Sequence, residues 1–403
     1  MSKSAQTASP IPDGPAARSG YEGPYKIRLA GYRIGEEELE AVREVFASGI
    51  LTNGPRTSRF EEVFARRHQV DFAVAFANGT VALTAIYLAL GIGQGDEVIV
   101  PSMTFISSAT SVLHAAATPV FADVDPDTFN LDPVDVARRI TRRTRAILAV
   151  HYGGQPADMD ELQALADDAG LLLLEDAAEA HGAIYRGRSV GGLGKAAMFS
   201  FTPTKNITTG EGGIVTTHDG DLAAALKLLR NHGQTSLYQH NSLGFNWRMT
   251  ELQAAIGEVQ VGRLDTILAV KQSNAARMAD RLRSVSRVRP PTTLSDRRHV
   301  HMLYTLLLDK DRDSVMAAMA SAGIETRIYF PPAHRQPIFA TMNANLPVTE
   351  EVSKRMLSIP FHSLLTPNDM EEIASALEAA VTSGPEGLQP GPGDTEGPRF
   401  RRP

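Results

Sequence analysis

The chain has 403 residues, no cysteine, 43% hydrophobic residues and a formal net charge of −6. That length supports two domains, each large enough to bury a core of its own. The acidic balance argues against a nucleic-acid footprint, and the lack of cysteine excludes disulfides, thiolate metal sites and cysteine nucleophiles.

Residues 1–25 are rich in Ser, Ala, Pro and Gly and carry no apolar h-region, so they read as a disordered tail and not as a secretory signal. Residues 72–77 read as a buried strand, and 81–90 as a helix closed by Gly91, with the turn Asn78-Gly79-Thr80 between them. Segments 97–100 and 118–122 read as strands. The helix 132–140 follows, with Asp132 as N-cap and Pro133 at its first position. Next come strand 146–150, helix 161–169 stopped by Gly170, and strand 171–174. Strands that are apolar throughout and separated by helices predict a parallel sheet covered on both faces, with ligands collecting at the carboxyl ends of its strands. Asn78, Asp176 and Lys205 all fall at or just after such ends.

Thr250-Glu-Leu-Gln253 is a capping box opening a helix predicted to run to about residue 284. That helix crosses from a large domain, 26–262, into a smaller α/β domain, 263–383, with a strand at 301–308, a helix at 314–322 and another opened by Thr366-Pro367. Residues 384–403, dominated by Gly and Pro, read as a second disordered tail ending in a small basic tip. No internal repeat is apparent, and no apolar run approaches the length of a membrane span. A cytoplasmic protein with neither nucleic-acid nor membrane partners is expected.

The most specific chemistry belongs to Lys205, in Ser200-Phe-Thr-Pro-Thr-Lys205-Asn-Ile-Thr-Thr-Gly210-Glu-Gly-Gly213, between two apolar β-like runs. A lysine that is partly desolvated or near other cations releases its proton more readily, and the free amine forms a Schiff base with an aldehyde. Upstream, Leu174-Glu175-Asp176 places a carboxylate at the end of a buried strand. Such a lysine, with a carboxylate able to hold a pyridinium nitrogen, is the minimum kit for pyridoxal phosphate. The helix N-terminus after Asn78 offers unpaired amides and the positive end of the helix dipole to a phosphate, and Thr80 adds a hydroxyl. Each element alone has a plainer reading. A lone loop lysine is usually solvated, Asn-Gly-Thr also serves as an ordinary N-cap, and Asp176, like Glu175, reads equally as a helix cap or a buried ion pair. Their conjunction is what points to the cofactor.

Further segments follow in a fixed order: Leu51-Thr-Asn-Gly-Pro55, Pro101-Ser-Met-Thr-Phe105, Glu175-Asp-Ala-Ala-Glu-Ala-His-Gly182, Arg230-Asn-His-Gly233, Gly244-Phe-Asn-Trp-Arg-Met-Thr250 and Tyr329-Phe-Pro-Pro-Ala-His-Arg-Gln-Pro337. Together they resemble the DegT/DnrJ/EryC1/StrS family of pyridoxal-phosphate sugar aminotransferases, within the fold type I group, over residues 28–380. The resemblance implies a large domain with a mainly parallel sheet flanked by helices, plus a smaller α/β C-terminal domain. It implies that Lys205 is the Schiff-base and proton-shuttling lysine and that Asp176 faces the ring nitrogen. Phe105 is implied to stack on the ring, and Gly79, Thr80 and Ser200 to bind the phosphate. Glu179 falls near the cofactor's hydroxyl side; most of the family has Gln there, so Glu179 is a departure that alters local charge. Asn246 matches a segment contributed near the phosphate by the other subunit, which implies a homodimer with shared active sites. By itself a loop asparagine reads as a turn residue. Tyr329, His334 and His362 match the family's substrate wall, although alone they read as surface or packing residues.

The reaction so implied moves an amino group from L-glutamate or glutamine to a nucleotide-linked keto-sugar in amino-sugar biosynthesis. A keto-cyclitol aminotransferase of the same family is an alternative. So is a sugar dehydratase in which histidine replaces the Schiff-base lysine, against which Lys205 argues. A non-catalytic regulatory relative should have lost Lys205, Asp176 or the phosphate turn, and all three are present. His181 reads as positional, because Lys205 already supplies a base. His299 and His301, two apart, could share one face of a strand as metal ligands. No carboxylate accompanies them, and no metal is expected.

Overall fold

The computed structural model describes residues 24–382. Both predicted tails lie outside these residues, apart from Pro24 and Tyr25.

The apolar runs form the strands of the principal sheet: β1 (Phe72–Phe76), β2 (Glu97–Pro101), β3 (Thr118–Ala122), β4 (Thr144–Val150), β5 (Leu172–Asp176), β6 (Ala196–Ser200) and β7 (Gly213–Thr217). They hydrogen-bond in the order β1-β7-β6-β5-β4-β2-β3. Pairs β2–β3, β2–β4, β4–β5 and β5–β6 are parallel, whereas β7 is antiparallel to both β6 and β1. One reversed strand therefore interrupts an otherwise parallel sheet. Residues 201–212 contain no helix to carry a crossover, so the chain returns directly beside β6 in the opposite direction.

Helices α1 (Glu36–Ser48), α2 (Pro55–His68), α3 (Gly79–Ala89), α4 (Ser107–His114), α5 (Pro133–Arg139), α6 (Met159–Ala169) and α7 (Gly220–Arg230) belong to this part of the chain, and α2 to α7 cover the sheet. The period-two alternation of the strands divides the core between the two faces. Val74, Phe76, Val98, Val100 and Leu148 pack against Leu83, Ile86, Val112 and Leu226 of α3, α4 and α7. On the other face Ala73 and Ala75 meet Phe60 and Phe64 of α2, and Ile147 and Ala149 meet Val136 and Leu162 of α5 and α6. This double cover is why the strands lack polar alternation.

Local chemistry sets the boundaries. The Asn78 side chain accepts from the Val81 amide at 3.0 Å, which starts α3 at Gly79, two residues ahead of its apolar run. Asp132 caps α5 by accepting from Val134, and Gly170 ends α6 in the left-handed region at φ 66°. Helix α8 (Glu251–Leu282) opens with the predicted capping box of Thr250 and Gln253. Its first half contributes Ala254, Val261, Leu264 and Leu268 to the large core, and its second half contributes Ala275, Met278 and Leu282 to another.

That second core is built on β8 (Val288–Arg289), β9 (Tyr304–Leu308) and β10 (Met356–Ile359), an antiparallel sheet ordered β8-β9-β10. Helices α9 (Arg312–Ser321), α10 (Pro347–Arg355) and α11 (Pro367–Thr382) complete this part of the chain. β9 begins three residues later than its apolar run predicts, because His301 has φ 45° and cannot continue a strand. Among the described residues no helix is long and apolar enough to cross a membrane.

The start of β7 lies hard against the turn before α3. A Cβ on Gly213 would fall 2.5 Å from the Asn78 carbonyl carbon and oxygen, both backbone atoms that cannot swing aside. Gly213→Ala is expected to destabilise the fold by about 1–3 kcal/mol in a urea titration. A loss of only a few tenths would show that strand and turn separate freely.

Candidate active site

The carboxyl ends of β1, β5 and β6 open into one cavity of about 700 Å³, and Gly79, Thr80, Phe105, Asp176, Glu179, Ser200, Lys205 and Tyr329 all line it. The reversal at β7 matters here, because it turns residues 201–212 back over the strand ends and so brings Lys205 to the cavity. Loop hydrogen bonds fix that turn. Thr208 Oγ1 donates to the Phe201 carbonyl at 2.7 Å, and Gln253 Nε2, from the first turn of α8, donates to the Glu211 carbonyl at 2.8 Å.

One end of the cavity is suited to an anion. Asn78 Oδ1 is used by Val81, so the Gly79 and Thr80 amides, first in α3, have no intrahelical acceptor. Any Cβ on Gly79 would lie 3.0 Å from Met198 Sδ and 3.2 Å from Ser200 Cβ, so a larger residue would push into the cavity floor. Thr80 Oγ1 is 2.8 Å from Ser107 Oγ, and the Ser200 hydroxyl faces the same space.

At the other end lie buried charges. Asp176 is 5% exposed; its Oδ2 accepts from Ser108 Oγ at 2.7 Å and its Oδ1 from the Ala178 amide at 3.1 Å. Burial pushes its carboxyl above the usual range, opposed by those two hydrogen bonds and by the charge of Lys205. Lys205 Nζ donates to Glu179 Oε1 at 3.2 Å, and Glu179 Oε2 accepts from the Gly153 amide at 2.8 Å. The acid at position 179 is therefore clamped on one side by backbone and holds the lysine on the other.

Phe105 is 56% exposed at the cavity rim, edge-on to Phe330 with centroids 5.8 Å apart. Tyr329 is held by the Tyr152 hydroxyl, which donates to its carbonyl and lies 3.1 Å from Thr305 Oγ1.

Other expected residues are placed elsewhere. His334 does not line the cavity, so its reading as a wall residue is corrected. Its Nδ1 lies 2.6 Å from Ser102 Oγ and its Nε2 3.2 Å from Glu350 Oε1, and short helical turns at 333–339 bury it near Phe121. Asn246 does not reach the cavity of its own chain either; it forms an isolated bridge with Asn231, beside the stacked Phe245 and Trp247 rings. His181 is buried among Phe64, Phe199 and Phe201, and burial holds it well below the ordinary histidine value. His299 and His301 stack on each other with centroids 4.0 Å apart.

Several contributors escaped sequence reasoning. Ser108, the hydroxyl partner of Asp176, follows Phe105 by three residues, and its Oγ is 2.6 Å from Thr104 Oγ1. A cluster of hydroxyls around an exposed aromatic was the available signal. Tyr152 and Met302 carried no signal, since both are apolar-looking residues that long-range packing brings to the cavity.

Known proteins resemble this chain in sequence and fold. Residues 32–378 match the model of the DegT/DnrJ/EryC1/StrS aminotransferase family. GDP-perosamine synthase of Caulobacter vibrioides is 42% identical over 365 residues, covering 88% of this chain and 98% of that protein. The dTDP-3-amino-3,4,6-trideoxy-alpha-D-glucose transaminase of Streptomyces venezuelae is 40% identical over 339 residues, covering 83% and 89%. The crystal structure of DesV from S. venezuelae superposes with a TM-score of 0.84 at 38% identity, covering 86% of this chain and 95% of that one. The match takes in the sheet, the lysine loop and the second core together, and the chain belongs to the DegT/DnrJ/EryC1/StrS aminotransferase family.

Proposed function

We propose that the chain is a pyridoxal-phosphate sugar aminotransferase of amino-sugar biosynthesis, taking its amino group from L-glutamate or L-glutamine and giving it to a nucleotide-linked keto-sugar. The observation that carries this reading is the single cavity shared by Lys205, Asp176 and the amino end of α3. Relatives named for GDP- and dTDP-linked sugars support the acceptor class.

The residues present fit the cofactor. The free Gly79 and Thr80 amides and the floor that a Gly79 Cβ would obstruct suit a phosphate. Asp176 is a buried carboxylate whose charge is costly until a cation faces it, which a protonated ring nitrogen would do. When bound, pyridoxal phosphate supplies an aldehyde that condenses with amines and a ring that accepts electrons from the neighbouring carbon.

The chain's own groups then have distinct tasks. Lys205 Nζ would hold the aldehyde carbon of the cofactor and, when released, would be the base for the proton at the substrate's α-carbon. Asp176 would accept the ring N–H, with Ser108 holding the carboxylate in place. Gly79, Thr80 and Ser200 would receive the phosphate, and Phe105 would cover one face of the ring. Glu179 keeps the Lys205 amine aimed into the cavity. Tyr329 forms part of the substrate wall.

A homodimer completes this reading. Asn246 belongs to a segment, 231–247, whose Leu237, Tyr238 and Leu243 are strongly exposed apolar residues, and such a patch favours burial against another copy. From there Asn246 would serve the partner's phosphate site. The location proposed is the cytoplasm, where nucleotide-linked sugars are made available to such enzymes.

Addition of L-glutamate or L-glutamine to purified protein is expected to convert its visible cofactor band to a shorter-wavelength form. A band that ignores both removes them as donors. Lys205→Ala should lose that conversion and all turnover while keeping the circular dichroism of the folded protein; retained transamination would overturn the role of Lys205. Asp176→Asn should keep cofactor but slow the half-reaction by about a hundredfold or more, since an amide cannot hold the ring proton. An unchanged rate would assign that task to another residue.

A further inference from the structure

Lys271 stands in the middle of α8, is 4% exposed, and has no part in the chemistry above. Its Nζ donates to Asn206 Oδ1 at 2.7 Å and lies 5.6 Å from the centre of the Phe361 ring. The one carboxylate whose charge reaches it, Glu179, is hydrogen-bonded to Lys205 instead. Two of its three N–H donors therefore have no acceptor among the described residues. Asn206, next in sequence to Lys205, has a buried Nδ2 that also lacks a partner. A buried ammonium and a buried amide, both with donors to spare, are costly unless an acceptor arrives.

Both side chains line a recess of about 20 Å³. The recess opens beside the main cavity, and Thr204, Lys205, Met302 and Tyr329 form walls of both. A volume of that size admits one oxygen-sized group. Only donors converge on it from Lys271 and Asn206, so an oxygen bearing negative charge is the best match.

We infer that this recess holds one oxygen of the α-carboxylate of the amino-acid donor, bound by Lys271 Nζ and Asn206 Nδ2. The inference rests on the aminotransferase reading. It follows from reach: the donor's amine must come to the carbon that Lys205 tethers, and Lys205 forms a wall of the recess. In an amino acid the α-carboxyl carbon is two bonds from the amine, whereas the side-chain carboxyl of glutamate is four bonds away. Lys271 and Asn206 thus select α-amino acids over simple amines without distinguishing glutamate from glutamine.

A pH dependence follows. Burial lowers Lys271 to about 7, against which Glu179 pulls upward. The carboxylate binds the charged amine, so affinity is full below that value and falls about tenfold per pH unit above it. The histidines whose charge acts on Lys271 are His299, His301 and His362. Burial holds His301 to about 3, His362 to about 4 and His299 well below the ordinary histidine value, so none of them changes charge in this range.

The test uses full-length protein loaded with pyridoxal phosphate and titrated calorimetrically with 2-oxoglutarate, which carries the α-carboxylate but has no amine to transfer. The wild type should bind about tenfold more weakly at pH 8.5 than at pH 7.5. Lys271→Arg should bind without that slope. Lys271→Met should bind at least about tenfold more weakly at pH 7 and show no slope. Asn206→Asp, which sets a carboxylate against Lys271, should lose binding to a similar degree and decides the matter if Lys271→Met does not fold. Equal affinity in wild type, Lys271→Met and Asn206→Asp, with a glutamate half-reaction unchanged, would leave a recess for water only and overturn the inference. A wild-type band unresponsive to every amino acid would instead overturn the aminotransferase reading on which it rests.

Discussion

A carboxylate buried at the end of a parallel strand is the constraint on which the site depends. Asp176 lies where β5 stops, 5% exposed, with one hydroxyl and one amide as its hydrogen-bond partners. An ionised carboxylate so placed is stable only with compensating charge nearby. Three neighbouring elements answer that requirement, against the like charge of Glu179. Helix α4 presents Ser108, the strand-to-loop turn at Ala178 presents an amide, and the loop after β6 presents the ammonium of Lys205. Lys205 in turn is bonded to Glu179, whose second oxygen is anchored on the Gly153 backbone. The result is a chain of alternating charges along one wall of a cavity, left open for a ligand whose own cationic nitrogen can face Asp176.

The sheet topology makes this geometry possible. Parallel strands send all their carboxyl ends to one edge, and that edge is where ligands collect. The reversal of β7 adds something that a purely parallel sheet would lack. It lays the lysine loop over the strand ends and brings Gly213 against the turn before α3, so the amine and the anion site are positioned by the same pair of strands. Helix α8 ties this region to the second core through its own length, and it carries Lys271 to the back of the cavity on the way.

Much of this was legible because its causes are local. An N-cap asparagine, an apolar strand ending in Asp176, a capping box at Thr250 and a glycine stop at Gly170 are decided within a few residues, and the structure bears each of them out. Features set by distant contacts were not legible. Nothing near Gly213 announces a strand running the other way, and the late start of β9 depends on the positive φ of His301. Ser108 became the partner of Asp176 only because α4 packs beside β5's end. His334 was placed at the substrate wall by the family resemblance alone, yet Ser102 and Glu350 hold its ring out of the cavity. No local motif marks Lys271 on its long helix, and its burial is visible only once α8 is packed.

Lys205 is the amine on which the site turns, and Lys271, a more deeply buried amine lining the adjoining recess, is the one lysine among the described residues that could compete with it. Reduction of the pyridoxal-phosphate-loaded protein with borohydride converts the bond between cofactor and lysine into a stable secondary amine. Proteolysis and mass spectrometry then locate it. Cofactor mass on the peptide containing Lys205, and on no other, is the expected result. A label on Lys271, or none on either lysine, would contradict it.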